Sequence, residues 1–193
     1  MTTLTQIEIE NFWIRCYLNP KTNLTDAAID RAYRDFNRTL HGIGKNQTEE
    51  KQARLKNEII KIVSELSSEK FNNQLEYDTW HEKKCDDLVK AYKVIANHKL
   101  YIGQAQKWIN MTFKYLYALG ENRINGISKY YSYFHFPLDS IIQDKFFKFG
   151  IPKFIIKWSR IDNYTDYLDY QFLVRKKFAG QIPLDVEFRL FNE

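Results

Sequence analysis

The segment Gly103-Gln104-Ala105-Gln106-Lys107 combines a glycine with the predicted start of a helix. One helix is predicted to end near Asn97 and the next to begin near Gln106, so residues 97–107 form a hairpin. The glycine permits a positive φ in the loop, and the second helix offers unpaired backbone N–H groups at its N-terminus. Because such a terminus can bind a nucleic-acid phosphate, we expect DNA contacts from this turn. The expected contact residues are Gly103, Gln104, Ala105 and Gln106.

Five residues of this region follow the order hydrophobic, glycine, small, lysine and asparagine: Ile102, Gly103, Ala105, Lys107 and Asn110. The order resembles the helix-hairpin-helix DNA glycosylase superfamily, the endonuclease III-like proteins. Their hairpin reads approximately hydrophobic-Gly-x-Gly-x-Lys, followed by a small residue and Asn, and Ala105 stands in place of the second glycine. The resemblance covers approximately residues 86–150. The cysteines of an iron–sulfur cluster are absent, so it is confined to the branch without a cluster.

In the bifunctional members of that family, the lysine at this place is a Schiff-base nucleophile, and an aspartate beyond the next helix completes the site. The matching residues are Lys107 and Asp139, which are 32 positions apart, an interval similar to that of the archaeal 8-oxoguanine glycosylases. The resemblance implies that Lys107 attacks the anomeric carbon of a sugar. Asp139 would orient the lysine, accept a proton or stabilise positive charge as the base leaves. Bulky apolar neighbours disfavour a charged amine, which suits a nucleophile.

An enzyme of this kind must turn its target base out of the duplex, and aromatic side chains then stack on the base or fill the gap. Four aromatic residues are candidates for this role: Trp108, Tyr115, Tyr131 and Trp158.

The same residues also have a purely structural interpretation. Lys107 can be a solvated lysine on the first turn of a helix, and Asp139 can be an N-terminal helix carboxylate. A second Pro-Leu-Asp occurs at 183–185, which indicates that this tripeptide can simply mark the boundary of a secondary-structure element. The four histidines are dispersed along the chain, and each is expected on the surface or in a loop. They are His41, His81, His98 and His135.

Composition indicates a globular protein without a cofactor. Hydrophobic residues make up 44% of the chain, enough for a packed core. The two cysteines, Cys16 and Cys85, have no partners at metal-ligand spacing, so we expect no metal and a reducing, cytoplasmic location. Neither a leader-like segment nor a membrane-length apolar stretch is visible, so we expect no membrane association. Residues 81–193 carry 18 Lys and Arg against 12 Asp and Glu, which suits DNA or an ordinary solvated surface.

The hydrophobic periodicity predicts an all-α fold, a compact multi-helix domain with the helix-hairpin-helix element. Helices are expected over 4–18, 25–40, 48–66, 80–96, 106–119, 139–149 and 164–178. Residues 67–78 are predicted as a connection. The whole chain, 1–193, is expected to form one domain, with two lobes, 1–80 and 81–193, as the alternative division.

Two functional hypotheses follow. The first is a DNA base-excision glycosylase and lyase that uses Lys107 and Asp139. The second is a non-enzymatic helical protein, of bacterial or phage type, that binds nucleic acid or protein through its basic later half and its aromatic residues. The second hypothesis predicts salt-dependent DNA binding that is indifferent to Lys107 and Asp139.

Overall fold

The computed structural model describes residues 3–44 and 47–193, and within these ranges the chain is helical and contains no strand. The α-helices are α1 (Gln6–Leu18), α2 (Leu24–Phe36), α3 (Glu49–Ser68), α4 (Gln74–Ala96), α5 (Ile102–Leu119), α6 (Ser140–Phe147), α7 (Tyr164–Lys177) and α8 (Pro183–Asn192). Short 3₁₀ turns occupy Asn37–Thr39, Ile127–Tyr133 and Trp158–Arg160. The predicted all-α class is therefore confirmed.

Side-chain caps determine where several helices begin. Thr5 forms a reciprocal capping box with Glu8 at the start of α1, and Thr48 caps α3 as the sequence predicts. Asn73 accepts a hydrogen bond from the backbone of Glu76, so α4 begins at Gln74. The predicted connection over residues 67–78 is therefore too long, because an asparagine in a polar stretch was interpreted as loop and not as a cap.

Helix α5 is the central element and packs against α2, α4 and α7. Nearly all of its residues are buried, including Ile109, Phe113 and Leu116 on its apolar sides. A helix that is apolar on most of its sides is normally buried in this way. Within the two described ranges, no helix is both long and apolar enough to cross a membrane.

The expected loop conformation of Gly103 is wrong. Helix α5 begins at Ile102, so Gly103 lies in its first turn, and the residue does not have a positive φ. Its N–H donates to the carbonyl of Ile161 at 3.0 Å. A Cβ at this position would lie 1.8 Å from the carbonyl oxygen of Trp158. Glycine is required here because another backbone segment packs directly on the helix, which no local sequence pattern reveals.

Helix α8 was not predicted. Pro183 occupies its first turn, where a missing N–H does no harm, and Leu184 and Leu190 face the core. Pro183-Leu184-Asp185 is therefore the start of a helix, and the helical spacing of the apolar residues that follow it was the available signal. This omission matters because α8 supplies one wall of the candidate site.

Candidate functional site

Lys107 and Asp139 meet in space. The Lys107 Nζ atom lies 2.6 Å from the Asp139 Oδ2 atom, although 32 residues separate them along the chain. The Lys107 side chain retains 6% of its exposure and that of Asp139 retains 21%. Lys107 is thus a buried, paired lysine, and the interpretation of it as a solvated residue is wrong.

The two oxygens of Asp139 have different partners. Oδ1 accepts a hydrogen bond from the backbone N–H of Ile142 at 2.9 Å, which makes Asp139 the N-cap of α6. This is the helix-terminal carboxylate expected in the structural interpretation. Oδ2 is left for Lys107. Because the cap fixes the plane of the carboxylate, the second oxygen is presented to the lysine in a defined orientation.

A cleft of about 670 Å³ opens above this pair, and we call it the main cleft. Its walls come from α1, α2, α5, α6 and α8. Apolar and aromatic side chains line much of it: Trp13, Ile14, Tyr17, Met111, Tyr115, Phe188 and Phe191. Its charged lining residues are Arg31, Arg34, Asp35, Arg38, Lys107, Lys114, Asp139 and Glu187. Such a mixture suits a ligand with both an apolar and an anionic part.

A second cleft, of about 490 Å³, also borders the pair, and we call it the side cleft. It is bordered by the first part of α6 and by residues 153–159. Both clefts include Asp35, Arg38, Lys107, Asp139 and Ile141. The Lys107–Asp139 pair therefore lies where the two clefts meet, and we call the two clefts together the groove. A chain molecule bound along the groove could pass directly over the pair.

The four residues expected to contact phosphate lie in the buried first turn of α5. Gln104 donates to the carbonyl of Thr39 at 2.8 Å, and Ala105 is completely buried. The N–H groups of Gly103, Gln104 and Ala105 already donate to backbone carbonyls. Because these donors are occupied inside the protein, the geometric basis for the expected phosphate contact at this turn is missing.

The four aromatic candidates occupy three kinds of environment. Trp108 is buried and donates its indole N–H to the carbonyl of Ile29, so it belongs to the core. Tyr131 is also buried, stacked on Tyr117. Tyr115 lines the main cleft, and the half-buried Trp158 lines the side cleft. Only the last two of the four border the groove.

The expectation that all four histidines lie on the surface or in loops is wrong for His81, which is buried in α4, whereas His135 lies in the loop before α6 as expected but is not exposed. Both are fully buried, and their rings lie 4.5 Å apart between α4, α5 and α7. His135 Nε2 lies 2.7 Å from a carboxylate oxygen of Asp78, which can only accept, so that nitrogen carries the hydrogen. His135 Nδ1 then accepts from the hydroxyl of Tyr167 at 2.9 Å. A lone histidine has no periodicity, so the sequence pattern gave no sign of this pairing.

Burial and hydrogen bonding shift the pKa values within this cluster. Burial lowers the pKa of His135 to about 4, against the opposing effect of Asp78. The pKa of His81 is also lowered well below its usual value, mainly by burial. Burial alone would raise the pKa of Asp78, but hydrogen bonds and charge from His135 and Arg175 bring it below its ordinary range. Both imidazoles are therefore neutral at pH 7, and Arg175 balances the charge of Asp78.

The buried cluster connects to the Lys107–Asp139 pair through Asn110 and Gln106. Asn110 donates to Tyr167 at 2.8 Å and to Gln106 Oε1 at 3.0 Å. Gln106 in turn binds both sides of Leu138, donating to its carbonyl at 2.8 Å and accepting from its N–H at 3.2 Å. Leu138 directly precedes Asp139, so this clamp holds the backbone from which the carboxylate projects. Asn110 is therefore a hydrogen-bond donor within the packed core.

A second buried ion pair lies on the same side of α5. Lys114 Nζ approaches Glu187 of α8 at 2.6 Å, and both side chains are nearly inaccessible, at 7% and 5%. Burial raises the pKa of Glu187 despite the nearby ammonium group. This pair could not be predicted without α8, for which the recurrence of Leu184, Glu187 and Leu190 was the available signal.

Within residues 3–44 and 47–193, no group of three or more His, Cys, Asp or Glu side chains is arranged to hold a metal ion. Comparison of the chain with protein families, with curated proteins and with solved structures finds no match.

Proposed function

We propose that the protein is a DNA base-excision glycosylase with abasic-site lyase activity, in which Lys107 is the nucleophile and Asp139 its partner. The observation that supports this most is the 2.6 Å contact between Lys107 Nζ and Asp139 Oδ2 at the junction of two clefts. The helix-hairpin-helix resemblance and the interval between the two residues point to the same chemistry. DNA is the proposed partner, and no cofactor takes part in the reaction.

The reaction begins with a proton transfer from the Lys107 ammonium group to Asp139, the base in contact with it. The freed lone pair bonds to C1′ of the target sugar, and the bond between C1′ and the base nitrogen breaks. The base leaves with the electron pair of that bond and takes up the proton held by Asp139, which is ionised again. The C1′–O4′ bond then breaks, O4′ takes up one of the two protons on Nζ, and a protonated Schiff base forms between C1′ and Nζ. Asp139 accepts a proton from C2′, a double bond forms between C2′ and C3′, and the C3′–O3′ bond breaks, so that the phosphate leaves with the electron pair on O3′.

The direct test is borohydride trapping on duplex DNA that contains an abasic site. Hydride adds to C1′ of the Schiff base and converts it to a stable amine, so a covalent complex is expected for the wild-type protein. Lys107→Ala should form none. Asp139→Asn should slow adduct formation about 100-fold, since the amide keeps the cap but cannot accept the proton.

Lys114→Met is the matched control, because this lysine is on the same helix and equally buried. It should still form the adduct at a temperature where circular dichroism shows it folded. No adduct with the wild-type protein, or an adduct that survives Lys107→Ala, would contradict the proposal. Release of free base from duplexes that each carry one damaged base would identify the glycosylase substrate.

The second candidate is a nucleic-acid-binding protein without catalysis. The observation that favours it is that Asp139 already has a structural role as the cap of α6. In that case wild type and Lys107→Ala would bind DNA equally, and neither would form an adduct.

A further inference from the structure

A DNA strand bound over Lys107 needs cations to hold its phosphates, and the first turn of α5 cannot supply them. The N–H groups of that turn are bonded inside the protein. Any phosphate site must therefore be formed by other groups at the rim of the groove. Three arginines meet this condition.

Arg31, Arg34 and Arg38 form what we call the arginine stripe. The first two lie in α2, and Arg38 lies in the 3₁₀ turn that continues it. Their spacing of three and four residues places them along one side of that segment. All three line the main cleft, and Arg38 also lines the side cleft together with Lys107. The stripe therefore runs beside the groove towards the proposed nucleophile.

Two members of the stripe are not neutralised. Arg31 has partners: its Nη2 lies 3.5 Å from Asp35, and it donates to the hydroxyl of Tyr17 at 3.1 Å. Arg34 and Arg38 are exposed and, within the described part of the chain, have no carboxylate within 4.0 Å and no hydrogen-bond acceptor. Two free guanidinium groups beside a groove are suited to phosphate, which they can bind through paired N–H donors.

The surroundings favour a nucleic-acid strand as the occupant. Exposed Trp13 and half-buried Tyr115 lie in the same cleft as the stripe, and Trp158 lies in the adjoining one. Cations and aromatic faces in adjoining clefts suit a strand, which carries a phosphate and a base in every nucleotide. The other candidate occupant is an acidic protein, which would bind to the arginines through its carboxylates and would not need the aromatic side chains.

We propose that Arg34 and Arg38 bind backbone phosphates of the DNA strand that carries the target nucleotide. The inference rests on the proposed function, because it takes DNA as the substrate of the Lys107 site. The proposed phosphate site is thus on α2 and the 3₁₀ turn that follows it, and not at the hairpin. Acidic residues slightly outnumber basic ones in that part of the chain.

The test is equilibrium binding of the full chain to duplex DNA that contains a tetrahydrofuran abasic analogue, at several salt concentrations. This analogue has no C1′ leaving group, so binding is measured without chemistry. Each phosphate contact contributes about 0.9 to the slope of log K against log salt concentration. Arg34→Gln/Arg38→Gln should therefore make the slope less steep by about 2.

The matched control is Arg54→Gln/Lys176→Gln, which removes the same charge from exposed positions outside both clefts. Its slope should equal that of the wild type. All four substitutions are on the surface, so neither variant should lose measurable stability. Equal slopes for the two double variants would overturn the inference, and so would equal competition by polyglutamate and by single-stranded DNA.

The outcome can be separated from that of the borohydride experiment. A reduced slope in the arginine variant without any wild-type adduct would support phosphate binding and overturn the enzymatic proposal. An adduct with unchanged slope would support the enzyme and overturn the role of Arg34 and Arg38.

Discussion

The two buried ion pairs of α5 have similar geometry and different surroundings. Lys107 and Lys114 are seven positions apart on one side of the helix, and each places its Nζ 2.6 Å from a carboxylate oxygen. Both lysines are almost completely buried. Contact distance and lysine burial therefore do not distinguish the two pairs.

Access to the carboxylate distinguishes them. The Glu187 side chain is 5% exposed and that of Asp139 is 21% exposed. Both pairs line the main cleft, but Lys107 and Asp139 also line the side cleft. The Lys114 ammonium group lies 4.6 Å from the ring centroids of both Phe188 and Phe191. Because the Glu187 carboxylate is almost inaccessible, its pair cannot exchange a partner for a substrate without leaving a buried charge. The more accessible carboxylate of Asp139 makes the Lys107–Asp139 pair the better candidate for chemistry.

The largest expected effect on stability comes from breaking the less exposed pair, Lys114–Glu187. Lys114→Met leaves Glu187 buried without a counterion, so the free energy of unfolding should fall by about 3–5 kcal/mol. Lys107→Met should reduce it by only about 1 kcal/mol, because Asp139 is partly solvated and keeps its bond to Ile142. Urea denaturation of both variants measures the difference. Equal losses would show that the two pairs are alike and remove the basis of the comparison.

The second expected effect is a loss of stability at low pH from the histidine cluster behind the Lys107–Asp139 pair. His135 titrates near 6.5 when unfolded and at about 4 when folded, so between these values only the unfolded chain takes up the proton. The stability that is present above pH 6.5 is lost as the pH falls towards 4, by up to about 3 kcal/mol. His81 changes stability in the same direction.

Thermal unfolding from pH 7 to pH 4 would measure this effect, with His135→Gln as the variant that should weaken it. Arg54→Gln should keep the same pH dependence over this interval, since Arg54 is exposed and makes no contact with the histidines. A wild-type curve that is flat from pH 6.5 to pH 4.5 would contradict the assignment of neutral, buried imidazoles.

The third prediction concerns Gln106, which holds the backbone of Leu138, the residue that precedes Asp139 in the chain. Gln106→Leu leaves the N–H and carbonyl of Leu138 without their buried partners, at a cost of about 2 kcal/mol of unfolding free energy. It should also slow adduct formation about tenfold, since a carboxylate that is no longer held in place meets Lys107 less often.

A double-variant cycle tests whether Gln106 acts through Asp139. In the Asp139→Asn background, Gln106→Leu should not slow adduct formation further, whereas a general loss of folding would still do so. Additive effects on the rate would show that Gln106 does not position the carboxylate.

The smallest expected effect separates the two oxygens of Asp139. Both Asp139→Asn and Asp139→Ala remove the counterion of the buried Lys107, so both should be less stable than wild type. Asp139→Asn retains an acceptor for the N–H of Ile142, so Asp139→Ala, which also loses the cap, should be the less stable of the two by about 1 kcal/mol. Both should lose adduct formation to a similar extent. Chemical denaturation and trapping of the two variants check this, and normal trapping by Asp139→Asn would show that the charge of Asp139 has no chemical role.

The all-α class and most helices could be predicted because they depend on local pattern. Capping residues such as Thr48 and the regular apolar positions of α3 are visible in the sequence itself. The proximity of Lys107 and Asp139 came only from a family resemblance, since no spacing rule places residues 32 apart in contact. Their catalytic roles remain predictions.

Features that depend on tertiary contacts could not be predicted. Gly103 is required by the approach of Trp158, which is distant in sequence, and the same glycine was expected to adopt a loop conformation. The buried His135 looked like any isolated polar residue, because its partners come from other helices. The arginine stripe lies in residues 1–80, which have no basic excess, so the distribution of charge along the chain gave no sign of a phosphate site there.

The measurement that tests the central claim most directly is peptide mapping of the borohydride-reduced complex by mass spectrometry. The account predicts that the sugar remnant is attached to Lys107, in wild type and in Lys114→Met alike. Attachment to Lys114, to the terminal amine or to another lysine would contradict it, because it would mean that the partly accessible Lys107–Asp139 pair is not the reacting one.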